Sequence, residues 1–350
     1  MIRSLRFGRS GRSLYFFFFL LVVGGTSCAC VASTSIVARN TAELLETPAS
    51  SVKWFAPDDR RDGTSLTRWR RSVGPPVTPV PALDVAPHDA ITVVSWNIAV
   101  GDADVVGFVR RLPPSDRPLV LLLQEVYRGG TAVPAQLDRD SAFAGRLGNA
   151  ADGNGRRQIE EVGQQLGLRV YYVPSMRNGG PTSDEDRGNA ILSSLPLTDL
   201  RAIELPFERQ RRVAIAATLT GFGSAGEPWQ VRIVSAHLDN MGGPKRGWIG
   251  AEYGRARQAR SLASLLNDGE PTILAGDFNT WFGFSDQAYL ETAHAFPETR
   301  VTDRRPTFRG LLRLDHVFYR LAPGWRLEFQ RAESRYGSDH YPLVGALHFH

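Results

Sequence analysis

A short apolar run ends in polar residues in the sequence Leu274-Ala275-Gly276-Asp277-Phe278-Asn279-Thr280-Trp281. The run 271–274 has a β-branched centre and is followed by Gly276, which predicts a buried strand. If the backbone stays extended, Asp277 and Asn279 lie on the same side of that strand. A carboxylate that accepts a proton and an amide that donates a hydrogen bond suit the hydrolysis of a charged ester. The alternative for an isolated Asp-x-Asn is a simple turn.

Other predicted strands also carry polar residues at their ends. The β-branched segment 91–96 leads to Asn97, and the apolar run 119–123 leads to Gln124 and Glu125. One further predicted strand ends at His237, and another begins near Asp315. The last predicted strand follows the Ser-Asp-His sequence at 338–340. The candidate site residues are therefore Asn97, Glu125, His237, Asp277, Asn279, Asp315, Asp339 and His340.

The candidate set contains carboxylates and an amide but no cysteine, which favours Mg²⁺ or Mn²⁺ over zinc. Mg²⁺ in proteins usually takes one or two carboxylates and keeps positions for water and phosphate oxygens. We predict Glu125 and Asp339 as its ligands, with Asn97 beside them.

The remaining candidates suit proton transfer and charge stabilisation. We expect Asp277 to polarise or deprotonate the attacking water. Asn279, His237 and His340 would stabilise charge on the phosphorus oxygens, and Asp315 would fix the tautomer of a histidine, with His340 the best candidate.

Strands dominate the chain and do not alternate strictly with helices. The apolar spacing predicts helices near 104–112, 159–166 and 253–266, between strands at 169–173, 188–194, 212–220 and 229–235. This order favours an α/β fold in which two sheets pack face to face with helices outside, over a doubly wound parallel sheet.

The first 38 residues predict export. Four arginines precede the apolar segment 14–23, and a tract of small residues follows it, as in a secretory signal peptide. Two alternatives stay open: a membrane anchor formed by residues 14–38, or a lipid on Cys28 or Cys30. We expect a periplasmic or secreted protein, anchored to the membrane only if the leader is retained.

Composition limits what the remainder can be. The chain has 350 residues, and its formal net charge of +5 falls by four, to +1, without the four leader arginines. The charge is therefore no evidence for a polyanionic substrate. Both cysteines lie in the leader, so no disulfide is expected in the catalytic part. Prolines and arginines crowd residues 39–90, which we interpret as a linker or surface strap without regular elements. Residues 91–350 then form one catalytic domain, expected to be monomeric.

The ordered motifs resemble those of the endonuclease/exonuclease/phosphatase superfamily, whose fold is DNase-I-like. The resemblance rests on Ser95-Trp96-Asn97, Leu123-Gln124-Glu125, Gly188-Asn189-Ala190-Ile191-Leu192-Ser193, Ser235-Ala236-His237-Leu238, Gly276-Asp277-Phe278-Asn279, Leu314-Asp315-His316-Val317 and Ser338-Asp339-His340. It implies a four-layered α/β sandwich of two packed mixed β-sheets flanked by helices, and divalent-metal-dependent phosphoester hydrolysis. The histidine at position 237 is similar to the DNase, sphingomyelinase and phosphoinositide-phosphatase branches, and differs from the abasic-site endonucleases.

The resemblance does not fix the substrate, because this superfamily acts on nucleic acids, phospholipids and inositol phosphates. We expect extracellular nucleic acid slightly ahead of phospholipid. The arginines at positions 209, 211 and 212 could bind a phosphate backbone, whereas Trp248-Ile249 is too short an apolar segment to support a lipid interface. The rival hypothesis is a non-catalytic binding domain of the same fold, although none of the acidic or histidine positions is missing.

Overall fold

The computed structural model describes residues 52–80, 86–143, 156–240 and 251–349. The leader, both cysteines and Trp248-Ile249 lie outside the described residues. The helices are α1 (Arg60–Arg70), α2 (Val105–Arg110), α3 (Ile159–Leu166), α4 (Ala251–Leu265) and α5 (Gln287–Ala295). The strands are β1 (Lys53–Phe55), β2 (Ala90–Asn97), β3 (Leu119–Gly129), β4 (Arg169–Arg177), β5 (Glu185–Ser193), β6 (Thr198–Glu204), β7 (Val213–Phe222), β8 (Pro228–His237), β9 (Thr272–Asp277), β10 (Asp315–Arg320), β11 (Arg326–Arg331) and β12 (Leu343–His348).

The strands form two six-stranded mixed sheets. Sheet A has the order β1-β6-β7-β8-β9-β10, and sheet B has the order β11-β12-β2-β3-β5-β4. In each sheet a parallel pair supplies the central polar strand ends: β8 with β9 in sheet A, and β2 with β3 in sheet B. Because parallel strands end at the same edge, the polar residues after these strands gather at one edge of each sheet.

Three apolar clusters separate four layers. Inward-facing residues of both sheets, such as Val93, Ile191 and Ile233, form the central core. A second cluster packs α2 and α3 on the outer face of sheet B, and a third packs α4 and α5 on the outer face of sheet A. The predicted four-layered α/β sandwich is confirmed.

The prediction that residues 39–90 contain no regular element is wrong for part of this segment. Strand β1 pairs in parallel with β6 and so extends sheet A, and α1 follows it. Asp59 caps α1 by accepting a hydrogen bond from the Arg61 amide at 2.8 Å, and Leu66 and Trp69 are buried. The prolines flank this helix without interrupting it, so their density concealed a capped amphipathic segment.

The segment 175–187 contains the end of one strand and the start of the next. Strand β4 continues to Arg177 and β5 begins at Glu185, so only seven residues connect them. Among the described residues, no helix is long and apolar enough to cross a membrane.

Candidate active site

Three neighbouring strands of sheet A bring His237, Asp277 and Asp315 side by side. His237 is the register partner of Asp277 across the parallel β8–β9 pair, and Asp315 is its partner across the antiparallel β9–β10 pair. A Cβ at Gly276 would lie 1.8 Å from the Ala236 carbonyl oxygen, so glycine permits the close approach of β8 and β9 just before Asp277. All three side chains are buried.

Sheet B supplies Asn97 and His340 to the same place. Asn97 is the last residue of β2, and His340 lies shortly before β12. The Ser338 hydroxyl donates to the Asn97 carbonyl oxygen at 2.7 Å and accepts from the His340 amide at 3.0 Å. The Trp96 indole donates to the His340 carbonyl oxygen at 3.0 Å. The Ser-Asp-His sequence is thus held against the end of β2, which explains the spacing of the motif.

Asp277 lies at the centre of these groups. Its Oδ2 accepts from Asn97 Nδ2 at 2.9 Å and lies 3.5 Å from His237 Nε2 and 3.7 Å from His340 Nε2. Its Oδ1 accepts from the Asn279 amide at 2.9 Å. A carboxylate surrounded by donors from both sheets is positioned rigidly, as a group that exchanges a proton with a bound water must be.

His340 forms a dyad with Asp315. Nδ1 of His340 lies 2.7 Å from Asp315 Oδ2, and the Asp315 amide is held by the Thr307 hydroxyl at 3.1 Å. The carboxylate accepts the Nδ1 proton and so orients the ring with Nε2 toward Asp277. The structure therefore brings Asp315 and His340 together as the sequence predicted.

Burial and neighbouring charges shift the pKa values of Asp277, His340 and His237 differently. Burial raises the pKa of the Asp277 carboxyl to about 7, against the attraction of the His340 ring. Burial disfavours the His340 imidazolium, but the Asp315 and Asp277 carboxylates raise its pKa to about 10. Burial, together with Arg212, His340 and Arg187 nearby, lowers the pKa of His237 well below its ordinary value. Near neutral pH, His340 is cationic, His237 is neutral and Asp277 is near its midpoint.

Asn279 lies beside the centre, but not through the predicted alternation. Its backbone φ is +50°, so the chain turns immediately after Asp277, and the Asp277 carboxylate closes that turn. The Asn279 side-chain amide donates to the Leu238 carbonyl oxygen at 3.0 Å. The turn that the sequence offered as an alternative is thus present, and it contributes to positioning Asp277.

The two predicted carboxylate ligands lie at more open positions. Glu125 follows the paired residues Asn97 and Gln124, in a bulge of β3 with a backbone φ of +51°. Such backbone strain is typical of functional positions. Asp339 is one-third exposed, with Oδ1 3.9 Å from His340 Nε2. Among the described residues, no hydrogen bond or ion pair joins Glu125 to the other seven candidates.

The donor set at this edge fits a hard divalent cation. Glu125 and Asp339 offer carboxylate oxygen atoms at the more open positions, whereas Asn97 is buried and its Oδ1 accepts from the Ala99 amide at 3.0 Å. Asp277, Asp315 and His340 also offer ligand atoms within 4.8 Å of one another. The short His340–Asp315 contact occupies two of those atoms in a hydrogen bond. This hydrogen bond is made within the trio, whereas the carboxylates of Glu125 and Asp339 take no part in it.

The sequence indicated Arg212 as a possible phosphate-binding residue, but it gave no sign of Arg187 on the same basic side of the site. Arg187 and Arg212 are buried next to His237, whose pKa both depress. No motif distinguishes Arg187 from an ordinary loop arginine, since its position depends on the pairing of β5. The expectation that Arg211 binds phosphate is wrong, because its guanidinium is fully buried and donates to Glu204 at 2.7 Å.

The chain is similar to known proteins in sequence and in fold. A model of the endonuclease/exonuclease/phosphatase family matches residues 94–340, which include all eight candidate site residues. The chain belongs to this family. As a member of the endonuclease/exonuclease/phosphatase family, it has the two-sheet α/β sandwich fold of that family.

One solved structure supports the fold, and other similar proteins are as follows. A family member from Beutenbergia cavernae superposes with a TM-score of 0.52 at 18% identity, covering 75% of this chain and 72% of that one. Sphingomyelinase C from Streptomyces griseocarneus has a TM-score of 0.46 at 17% identity, covering 74% of this chain and 99% of that one. A UPF0294 protein of Vibrio cholerae is 40% identical over 100 residues, 26% of this chain and 34% of the relative. The match thus spans about a third of the length of that curated relative.

Proposed function

We propose that this chain is an exported, divalent-metal-dependent phosphodiesterase of nuclease-like type, in which a water activated by Asp277 attacks phosphorus in line. The observation that carries the proposal is the environment of Asp277, a buried carboxyl held by donors from both sheets with its pKa near neutrality. A general base is most effective when its pKa lies close to the working pH.

The neighbouring side chains complete the reaction. As the water oxygen bonds to phosphorus, its proton passes to Asp277 and the bond to the leaving oxygen breaks. The imidazolium of His340, held by Asp315, stabilises charge on the phosphorus oxygens. His237, which is neutral, contributes a further hydrogen bond. The remaining Asn279 amide hydrogen, not donated to Leu238, can face the same oxygens.

Glu125, Asp339 and Asn97 would hold a Mg²⁺ or Mn²⁺ ion. When bound there, the ion supplies Lewis-acid stabilisation of the phosphate charge. The residues themselves present hard oxygen donors without a thiol, which favours these cations over zinc.

We propose extracellular nucleic acid as the first candidate substrate. The second candidate function is a phospholipid or inositol-phosphate esterase of the same family. The composition of residues 1–38 supports export, which removes intracellular RNA and genomic DNA from consideration. The substrate panel is plasmid, single-stranded DNA, RNA and phospholipid vesicles. Release of head groups without nicking of plasmid would reverse this order.

Metal removal tests the proposed chemistry. We expect hydrolysis of bis(p-nitrophenyl) phosphate by the full chain to fall at least 100-fold in excess chelator and to return with added Mg²⁺ or Mn²⁺. A thermal melt in each condition serves as the control, because it shows whether the metal-free protein is still folded. Full activity in excess chelator would refute the metal dependence.

A further inference from the structure

Two buried arginines extend the site beyond the groups that act on the reacting phosphate. Arg212 immediately precedes β7, and Arg187 lies in β5. Asn189, two residues after Arg187, donates its side-chain amide to the Val213 carbonyl oxygen at 2.8 Å. Both arginines lie near His237, since both lower its pKa, and Arg212 also lowers the pKa of Arg187.

Arg212 lies at the same edge of sheet A as the strand ends that carry His237 and Asp277. The β7–β8 register continues from the pair Ile215–Ser235 to place Val213 level with His237. Strands β7, β8 and β9 are neighbours, so Arg212 starts two strands away from Asp277, a distance of roughly 10 Å. A long arginine side chain and one sugar or inositol ring together span such a gap.

The charge balance at this position calls for an anion. Arg212 is only 6% exposed, and among the described residues its guanidinium donates to the Gln210 side-chain oxygen at 3.2 Å, forms no ion pair, and leaves Nε without a partner. Arg187 is 4% exposed and donates to Asn178 Oδ1 at 2.6 Å and to Met176 Sδ at 3.3 Å. Glu125 is the carboxylate that interacts with Arg187. The buried guanidinium of Arg212, which forms no ion pair among the described residues, therefore favours an anionic ligand beside it.

We propose that Arg212 and Arg187 form a subsite for a second phosphate group of the substrate, next to the phosphodiester that is cleaved. This inference rests on the proposed function and narrows its substrate class to phosphodiesters with a neighbouring phosphate. A planar guanidinium makes paired hydrogen bonds to phosphate oxygens, which a lysine cannot reproduce. A phosphodiester with a zwitterionic choline head group has no second phosphate and would leave the subsite empty. A polynucleotide or a phosphorylated inositol head group would fill it.

Binding tests the subsite independently of turnover. Calorimetry on the full chain compares thymidine 3′,5′-bisphosphate with thymidine 5′-phosphate. We expect at least tenfold tighter binding of the bisphosphate, and a loss of most of this preference in Arg212→Gln. Arg212→Lys should recover part of it. Arg326→Gln, an exposed arginine on β11 at the far edge of sheet B, should keep it.

Turnover then identifies the source of the second phosphate. One pair of probes is the p-nitrophenyl ester of thymidine 5′-phosphate with and without a 3′-phosphate, and the other is glycerophosphoinositol with and without a 4-phosphate. A preference for the doubly phosphorylated member in either pair, reduced about tenfold in Arg212→Gln, supports the subsite and names its source. Equal turnover within both pairs, or an equal preference in folded Arg212→Gln, overturns it. If the wild type cleaves no probe, the proposed function fails, and the calorimetric preference still decides the subsite.

Discussion

At the scale of single residues, the site depends on how burial and neighbouring charges shift the pKa of each titratable side chain. Asp277 is only 2% exposed. Its burial is what raises its pKa into the range useful to a base. His340 is buried to a similar degree but has two carboxylates beside it, and its pKa moves in the cationic direction.

Asp315→Asn tests the role of the dyad. The carboxylate both orients the ring of His340 and stabilises its cationic form, so its removal should lower kcat roughly 10³-fold with a smaller change in KM. Steady-state rates on bis(p-nitrophenyl) phosphate measure the effect. Asp268→Asn is the matched control, because that carboxylate pairs with Arg232 near the opposite end of β8 and should leave kcat within twofold. A folded Asp315→Asn protein with wild-type kcat would remove the dyad from the mechanism.

The sequence revealed the centre of the site better than its margins. Asp277, Asp315 and His340 could be predicted because each lies at or near the end of a strand that an apolar run makes visible. The positive φ of Glu125 and of Asn279 could not, because a bulge and a side-chain-closed turn depend on the facing strands. The approach of Arg187 to Arg212 likewise depends on how β5 and β7 of the two sheets pack together.

At the scale of elements, the segment preceding the predicted catalytic domain is part of it. Strand β1 forms an edge of sheet A, and α1 is fixed to β6 and β7 by Glu204, which accepts from Arg70 and Arg211. Asp62 of the same helix accepts from Arg257 of α4 at 3.1 Å. The cap at Asp59 and the spacing of Leu66 and Trp69 were readable in the sequence, but the pairing of β1 with β6 was not.

The pH dependence of the stability of Glu204→Gln should show how much this attachment of α1 contributes to the fold. Burial opposes the charge of Glu204, but Arg211 and Arg70 lower its pKa below the ordinary value. A carboxyl group whose pKa is lowered by folding stabilises the folded protein at pH values above its unfolded pKa of about 4.3. That contribution is lost as pH falls through the folded pKa. We expect a destabilisation of about 3–5 kcal/mol at pH 7, since Arg211 loses a buried partner.

Urea unfolding of both proteins from pH 7 to pH 3 measures the prediction. The difference between wild type and Glu204→Gln should narrow as the pH falls. Asp199→Asn serves as the control, because its ion pair with Lys53 is partly exposed and should contribute at most about 1 kcal/mol. A difference that is constant over this pH range would show that the charge of Glu204 does not hold α1.

At the scale of the whole molecule, the site exists only where the two sheets meet. Sheet A brings His237, Asp277 and Asp315, and sheet B brings Asn97 and His340. Gln124 of β3 donates to the Ser235 hydroxyl of β8 at 2.9 Å, and this buried bond joins the sheets behind the site. The preponderance of strands was enough to predict two packed sheets, whereas their strand orders follow from long-range pairing that no local pattern encodes.

The most direct measurement is the rate of phosphodiester hydrolysis by Asp277→Asn, with a thermal melt of the same sample. The substitution removes a buried charge and keeps the size of the side chain, so we expect the melting temperature to change by only a few degrees. Because the base is lost, kcat in saturating Mg²⁺ should fall at least roughly 10³-fold. A folded Asp277→Asn protein that hydrolyses bis(p-nitrophenyl) phosphate at the wild-type rate would contradict the account.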